Sequence, residues 1–182
     1  MPDVEKQKQE FLMLCRESIR REGLEDLLTW LQKSDFFTAP ASTRYHGAYE
    51  GGLCEHSLDV YRMAKKAITG YELQLTEESV VIATLFHDLC KVNFYKTRTT
   101  GRNLSYTVDE QLPFGGHGSK SVYILSKYLK DLRDDEAIAI NCHMGFSRAV
   151  DSSVSLGESF HYSPLAWLIH VADEAATFLL ER

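Results

Sequence analysis

The sequence predicts a predominantly α-helical single domain with one small β-hairpin. Apolar residues recur at three- and four-residue spacing through most of the chain, whereas a β-like pattern is confined to residues 92–108. There is no internal repeat and no proline-, glycine- or serine-rich tract that would divide the chain. We therefore expect one helical bundle over 1–182, in which residues 1–44 form an N-terminal helical extension packed on a core of residues 45–180.

The composition is that of a globular protein. Hydrophobic residues make up 44% of the 182 positions and charged residues 25%, so a disordered chain is excluded. The 20 Lys and Arg against 26 Asp and Glu give a net charge of −6. This balance argues against a nonspecific nucleic-acid binder and a protein of anionic membrane surfaces, and by the same argument against a negatively charged substrate.

We find no membrane-spanning or targeting signal in the sequence. No apolar run approaches the roughly 18 residues that a membrane span needs. Met1 is followed by Pro-Asp-Val-Glu-Lys rather than by a signal peptide. The four cysteines form no C-x-x-C pair, which is typical of a reduced chain. We expect a cytoplasmic protein without membrane contact, and the sequence leaves its oligomeric state open.

Two short helices and a loop are predicted for the first fifty residues. Their apolar positions lie at helical spacing on either side of Gly23 and are Phe11, Leu14, Cys15, Ile19, Leu24, Leu27, Leu28 and Leu31. Residues 34–52 lose this periodicity around Pro40. A third helix is expected after Gly51-Gly52.

The most apolar helix is predicted to begin after the N-cap Thr76 and to end at His87-Asp88. Because its side chains are apolar almost all round, we expect it to be central and buried. From 92 to 108 the pattern becomes β-like, and residues 101–103, Gly-Arg-Asn, indicate the turn of a hairpin.

Three further helices are predicted in the last third of the chain. Ser119 is a candidate cap for the first, and Asp134 for a second that runs to about Met144. Ser163-Pro164 places a capping residue before a proline at the first helical position, which is a strong start signal.

Histidines and aspartates recur at near-equal intervals and suggest a metal centre. The intervals are 31, 29, 26 and 30 residues, each about one helix plus a connection, between His56, the His87-Asp88 doublet, His117, His143 and Asp173. Successive helices of a bundle can each deliver one ligand to a common centre. An isolated buried carboxylate costs several kcal/mol, and a shared metal ion removes that penalty. On spacing alone, the alternative of unrelated, locally satisfied residues stays open.

The sequence segments around these residues resemble a known signature. His56, His87-Asp88 and Asp173 resemble the H…HD…D signature of the HD-domain superfamily of metal-dependent phosphohydrolases. The flanking sequences agree, with GGLCEHSLDVY around His56, FHDLCK around the doublet and HVADEAAT around Asp173. The resemblance implies an HD-domain helical bundle for the core.

Two further histidines extend the resemblance. His117 in GGHGSKS and His143 in NCHMG resemble the additional histidines of HD proteins with a dinuclear centre. A histidine pair and a GYP-type segment are missing, which argues against a cyclic-di-GMP phosphodiesterase. The chain is similar to the HD domains of bacterial 3′–5′ exoribonucleases and to small phage-associated HD proteins, although it lacks the nucleic-acid-binding module of the exoribonucleases.

The resemblance implies roles for the individual residues. His56, His87, Asp88 and Asp173 would hold a first divalent ion, and His117 and His143 a second, with Asp88 shared. One or two ions of Mn, Fe, Co, Ni or Zn are expected as cofactors, and two such ions activate a water for in-line attack on a phosphoryl group.

Basic and aromatic residues near the ligands are candidate substrate contacts. Lys91, with Asp88 in the catalytic set, would neutralise phosphate charge or assist the leaving group, the alternative being a solvated lysine after a helix end. Lys120 and Arg148 follow ligand histidines and are candidate phosphate contacts, and Tyr45 and His46 are candidate pocket residues.

The hairpin region carries a second basic group. Its residues are Lys91, Lys96, Arg98 and Arg102, interleaved with Phe94, Tyr95 and Tyr106. Such a set is typical of a lip that stacks bases and attracts phosphate. An ordinary solvated hairpin is the alternative.

The sequence thus predicts a metal-dependent phosphohydrolase that cleaves a phosphomonoester or phosphodiester of a small nucleotide-like substrate through a metal-activated water. The alternatives are a 3′-end nuclease for short single-stranded nucleic acid and a non-catalytic metal-containing nucleotide sensor. Two divalent ions would change the formal charge from −6 to −2 and concentrate positive charge in one pocket. The acidic composition is then compatible with a small phosphorylated substrate.

Overall fold

The computed structural model describes residues 3–100, 103–145 and 156–180. Within these ranges there are eight α-helices: Val4–Ser18 (α1), Leu24–Lys33 (α2), Gly52–Tyr71 (α3), Glu77–Phe86 (α4), His117–Ser126 (α5), Asp134–Cys142 (α6), Leu156–Tyr162 (α7) and Pro164–Ala175 (α8). A 3₁₀ turn (Leu89–Lys91) follows α4 and a π-helical turn (Ala176–Leu180) follows α8. Strands Tyr95–Thr100 (β1) and Asn103–Val108 (β2) pair antiparallel. The predicted all-α fold with a small hairpin is confirmed.

None of the helices in the described ranges combines the length and apolarity that a bilayer crossing needs.

Helix α4 lies at the centre of the bundle, as its all-round apolar sequence predicts. Its residues 79–86 are buried, and it contacts α1, α3, α6 and α8. Thr76 caps its first turn by accepting the backbone N–H of Ser79 at 3.3 Å. Because α4 is surrounded by other helices, the residues that follow its last turn, His87 and Asp88, have a fixed position.

The N-terminal helices contribute to the same core. The Phe11 ring on α1 lies 5.9 Å from the Phe86 ring on α4. It also contacts Phe36 at 5.0 Å and Phe37 at 5.6 Å in the segment after α2. Residues 3–44 therefore bury apolar surface against the helix that leads to the His-Asp doublet.

Helix α3 begins at the predicted glycine pair because the backbone there leaves no room for a side chain. Gly51 is left-handed, with φ 83°. A Cβ on Gly52 would lie 2.0 Å from the carbonyl oxygen of Gly47. This packing turns the chain into α3 four residues before His56.

The hairpin is anchored at its open end. The backbone N–H of Asp109 donates to the carbonyl of Phe94 at 2.8 Å, and the Tyr95 hydroxyl donates to the carbonyl of Ala41 at 3.3 Å. The predicted turn residues Gly101 and Arg102 lie outside the described residues.

Helix α5 begins three residues earlier than Ser119 predicts. The cap position is Gly116, and the Ser119 hydroxyl donates to its carbonyl at 3.0 Å instead of capping a backbone N–H, so that prediction is wrong. The early start places His117 in the first turn. Next to it, a Cβ on Gly118 would lie 2.3 Å from the carbonyl oxygen of Asn141 on α6, so the two backbones touch at this glycine.

Helix α6 also begins differently from the prediction. Its cap is Arg133, whose backbone N–H donates to the Glu136 carboxylate at 2.9 Å, and Asp134 is the first helical residue rather than the cap. The helix ends at Cys142, two residues before the predicted Met144. A carboxylate three residues into the helix replaces the side-chain cap expected at Asp134.

At the start of α8 the prediction is confirmed. Ser163 occupies the cap position and Pro164 the first helical position. The preceding helix α7 was not predicted, and residues 146–155, which lead to it, lie outside the described residues.

A buried ion pair joins the first turns of α4 and α6 to the segment between α1 and α2. We call its residues, Arg21, Ser79 and Glu136, the closed cluster. Arg21 Nη2 lies 2.8 Å and Ser79 Oγ 2.7 Å from Glu136 Oε1. The other oxygen, Oε2, accepts from Arg21 Nη1 at 3.2 Å and from the backbone N–H of Arg133. Both carboxylate oxygens are therefore satisfied, although Glu136 is fully buried.

Candidate metal centre

The six predicted ligands lie at the ends of helices or inside them. His56 is on the first turns of α3, His87 and Asp88 follow α4, and His143 follows α6. His117 is the first residue of α5, and Asp173 lies in the last turn of α8. Since the closed cluster joins the first turns of α4 and α6, and the His87 and His143 rings lie 5.0 Å apart, the two helices run parallel. Their C-terminal ends meet at this centre.

Three ligands surround His56 Nε2. His87 Nε2 lies at 3.3 Å, Asp173 Oδ1 at 3.2 Å and Asp88 Oδ2 at 3.8 Å. Donor atoms of His56, His87 and Asp88 all lie within 4.8 Å of one another, and so do those of His87, His143 and Asp173. The two groups share His87, so the described residues form one continuous cluster of imidazoles and carboxylates that could hold a metal ion.

The backbone orients two of the imidazoles. His87 Nδ1 lies 2.7 Å from the carbonyl oxygen of Thr84, and His143 Nδ1 lies 2.7 Å from that of Ile140. A carbonyl oxygen only accepts hydrogen bonds, so Nδ1 carries the proton in both rings. Each neutral ring therefore presents the lone pair of Nε2 to the cluster, which is the tautomer that a metal ligand requires.

The buried atoms fit a cation. Nε2 of His143 is buried without a hydrogen-bond partner among the described residues, and the nearest Asp88 oxygen is 3.6 Å away. An unsatisfied buried lone pair next to two carboxylates is costly, and a divalent ion satisfies all of these groups together. Imidazole nitrogen and carboxylate oxygen are the donors that transition-metal ions take in proteins.

The charges of the cluster are interdependent. Burial opposes ionisation of Asp88, but Lys91 and His87 outweigh it and hold the pKa of Asp88 well below its usual range. The pKa of Asp173 is lowered in the same way, where His56 outweighs the effect of burial. Burial also opposes protonation of His143, yet the charge of Asp88 raises the pKa of this imidazole above 6.5. Both carboxylates are therefore anionic at neutral pH.

His117 lies at the edge of the cluster. Donor atoms of Asp88, Cys90 and His117 come within 4.8 Å of one another. The contact at Gly118 brings His117 to the end of α6 where His143 lies. Cys90 is buried, and burial raises the pKa of its thiol.

Lys91 is buried and faces Asp88. Its Nζ lies 2.6 Å from Asp88 Oδ2, and the 3₁₀ turn after α4 makes this contact possible. Burial disfavours the ammonium, but the charge of Asp88 outweighs it and raises the pKa of Lys91. A buried lysine that stays protonated places a fixed positive charge beside the candidate ligands.

A cleft of about 700 Å³ opens above the cluster. Its floor contains Asp88, Lys91, His117 and Asp173, and two predicted pocket residues, Tyr45 and His46, lie in its wall. The His46 ring also packs 5.1 Å from that of His56. The structure thus places these predicted residues around one cavity.

Other predicted contacts lie elsewhere. Lys120 does not line this cleft; its Nζ pairs with Glu110 at 2.6 Å and lies 5.0 Å from the centre of the Phe94 ring. Lys96 of the hairpin pairs with Asp109 at 2.7 Å. Arg148 and Arg102 lie outside the described residues.

Sequence reasoning missed part of the cleft wall. Glu174, which follows Asp173 directly, lines it, as do Thr177 and Phe178 about one turn further along, and Met144 and Val108. For Thr177 the available signal was the helical spacing from Asp173, because residues three and four positions apart are neighbours on a helix surface.

Comparison with known proteins defines the class. The HD domain family matches residues 53–176, a range that contains all six predicted ligands. The chain therefore belongs to the HD domain family.

A curated relative gives a more particular likeness. The chain is 29% identical over 142 residues to the dihydroneopterin 2′,3′-cyclic phosphate phosphodiesterase of Methanocaldococcus jannaschii. The match covers 75% of this chain and 51% of that protein, so the chain spans about half the length of the relative. No solved structure matches the chain with significance.

Proposed function

We propose that the chain is a metal-dependent phosphohydrolase that cleaves a phosphodiester of a small nucleotide-like substrate. The observation that carries the proposal is the convergence of two ionised carboxylates, one buried and one largely buried, and two imidazoles oriented by backbone carbonyls, below a cleft that also contains a buried lysine. Membership of the HD domain family and the name of the relative, a cyclic phosphate phosphodiesterase, support it.

The ligand roles are those that the resemblance to HD proteins with a dinuclear centre implies. His56, His87, Asp88 and Asp173 would hold one divalent ion, and His117 and His143 a second, with Asp88 between them because its two oxygens face His56 and His143 respectively. When bound, such ions lower the pKa of a water and polarise the phosphoryl group. Mn, Fe, Co, Ni and Zn all suit this donor set.

The chain's own residues bind and orient the phosphate. The ammonium of Lys91 is held at the floor of the cleft by Asp88, where it attracts the phosphoryl oxygens and stabilises the charge that develops on the leaving oxygen. His46 and Tyr45 lie above it and are proposed to contact the substrate. In the reaction, a water oxygen forms a bond to phosphorus while one phosphorus–oxygen ester bond breaks, and the leaving oxygen takes up a proton.

The test is turnover across a substrate panel. Purified protein with added Mn²⁺ is assayed on 2′,3′-cyclic nucleotides, 3′,5′-cyclic nucleotides, 5′-mononucleotides and short single strands. Asp88→Ala is compared with Asp26→Ala, which removes an exposed carboxylate on α2. We expect turnover of a small phosphodiester that depends on metal and falls at least about 10³-fold in Asp88→Ala, equal to about 4 kcal/mol of transition-state stabilisation.

Two outcomes would overturn the proposal. Turnover that survives both chelation and Asp88→Ala would exclude a metal mechanism. Absence of turnover on every substrate, with nucleotide binding retained, would indicate the sensor.

A further inference from the structure

The outer wall of the cleft is aromatic and open to solvent. Tyr45 is 80% exposed and Phe178 59% exposed, whereas Phe94 and Tyr95, which also line the cleft, are buried and partly buried. These side chains come from three separate parts of the chain, namely the loop before α3, the start of the hairpin and the π-helical turn after α8. Exposed aromatic faces around one cavity are suited to stack against a planar ring.

An acidic side chain interrupts this wall. Glu174 lines the cleft next to Asp173 and one turn before Phe178. Its carboxylate is exposed, and it makes no hydrogen bond or ion pair with any residue in the described part of the chain. Lys91, the cation in the cleft floor, is already paired with Asp88.

A carboxylate in this position is unfavourable for a phosphoester alone. Asp88 and Asp173 already place negative charge at the floor, and a third anion repels a phosphate further. The position becomes favourable when the organic part of the substrate offers hydrogen-bond donors to it. A carboxylate accepts two parallel hydrogen bonds from adjacent N–H groups, and such pairs are among the strong ones.

We propose that the cleft selects phosphoesters whose ring carries a 2-amino-4-oxopyrimidine edge, as in guanine and pterins. This edge offers a ring N–H beside an exocyclic amino group, so both oxygens of Glu174 accept a hydrogen bond. In adenine and cytosine, the ring nitrogen beside the amino group carries a lone pair instead of a hydrogen. One carboxylate oxygen of Glu174 would then face another acceptor and could not form a hydrogen bond. Phe178 and Tyr45 would stack on the faces of the ring. This inference rests on the proposed function and names its substrate class.

The test compares guanine and adenine ligands by equilibrium binding and by turnover. Calorimetry measures the Kd of guanosine and adenosine 3′-monophosphate, and kcat/KM is measured on the two 2′,3′-cyclic nucleotides. We expect a guanine preference of about tenfold or more, corresponding to about 1.4 kcal/mol. Glu174→Gln should abolish the preference by weakening guanine binding, because its amide keeps one acceptor and presents one donor.

Control variants separate specificity from folding. Glu22→Gln changes an exposed glutamate outside the cleft and should leave both Kd values unchanged. Phe178→Leu should weaken the binding of both nucleotides to a similar extent, because stacking contacts the face of the ring and does not depend on the groups at its edge. Equal affinity for the two bases in the wild type, or an unchanged ratio in Glu174→Gln, would overturn the inference even if the chain is a phosphodiesterase. A preference for guanine in binding, without turnover of any substrate, would support the inference and contradict the proposed function.

Discussion

The parallel helices α4 and α6 carry a buried polar cluster at each end, and the two clusters differ in what they leave unsatisfied. At the first turns, the closed cluster pairs both oxygens of Glu136 with donors. At the C-terminal ends, Nε2 of His143 is buried without a hydrogen-bond partner in the part of the chain that the structure describes, and His87 presents a lone pair to its neighbours. The closed cluster therefore contributes to folding alone, whereas the centre retains binding capacity for a cation.

The largest expected effect on stability comes from breaking the closed cluster. Glu136→Ala leaves the half-buried guanidinium of Arg21 and the hydroxyl of Ser79 without their shared acceptor. We expect a loss of about 3–5 kcal/mol in the free energy of unfolding, measured by urea denaturation. Glu22→Ala, an exposed glutamate, should change it by less than about 0.5 kcal/mol.

A double variant sharpens this result. Arg21→Met combined with Glu136→Leu removes both charges, so we expect most of the lost stability to return. A cost below about 1 kcal/mol for Glu136→Ala would show that the cluster is not the stabilising element inferred from its contacts.

The next largest effect is metal binding at the other end. Mn²⁺ at about 100 times its Kd should raise the free energy of unfolding by about 2.7 kcal/mol. His143→Leu replaces the unsatisfied Nε2 with an apolar group, so in metal-free protein it should cost less than about 1 kcal/mol. The same variant should lose most of the stabilisation by metal. An equal Mn²⁺ effect in wild type and variant, followed by thermal unfolding, would exclude His143 as a ligand.

A smaller effect is expected with pH in metal-free protein. His143 has a raised pKa, so its attraction to Asp88 is fully present below the unfolded value of 6.5 and is lost as pH rises through the raised value. Asp173 has a lowered pKa, so its contribution is present above 3.8 and is lost as pH falls from there. The stability difference between wild type and His143→Leu should therefore be most favourable to wild type between about pH 4 and 6.5. A difference independent of pH in urea titrations would contradict this electrostatic assignment.

The smallest effect should come from an exposed pair of the same chemistry as Arg21 and Glu136. Arg16 donates Nε and Nη2 to the two oxygens of Glu25, both at 2.9 Å, on the surface of α1 and α2. Because both groups are largely exposed, Arg16→Gln should change stability by less than about 1 kcal/mol. A loss similar to that of Glu136→Ala would mean that burial is not what distinguishes the two pairs.

Local patterns were sufficient for every helix of the described ranges except α7, and for the positions of the candidate ligands along the chain. The apolar run before His87 predicts the central helix α4. The sequences that flank His56 and Asp173 predict which helices come together at the candidate metal centre. Capping rules located helix starts only to within one to three residues, because Glu136 replaces the expected cap of α6 and the chain turns at Gly116 before α5.

The rest depends on contacts between distant parts of the chain. Arg21 and Glu136 are 115 residues apart, and neither shows a periodic or local signal of its pairing. Lys120 follows His117 by three residues, which suggested a substrate contact, yet Glu110 from the segment after the hairpin pairs with it. Residues such as Glu174 enter the cleft only because α8 passes beside α3, which spacing alone does not reveal.

The backbone contact at Gly118 has a consequence for the evolution of this centre. A methyl group here would need to move α5 away from α6 by roughly 1 Å, because its carbon would overlap the carbonyl oxygen of Asn141. His117 would move with α5 while His143 stayed with α6. Under the proposed ligand roles, the number of ions that the centre holds would therefore depend on a residue that is not itself a ligand. Among relatives, replacement of this glycine should accompany a change in metal stoichiometry even where every ligand is retained.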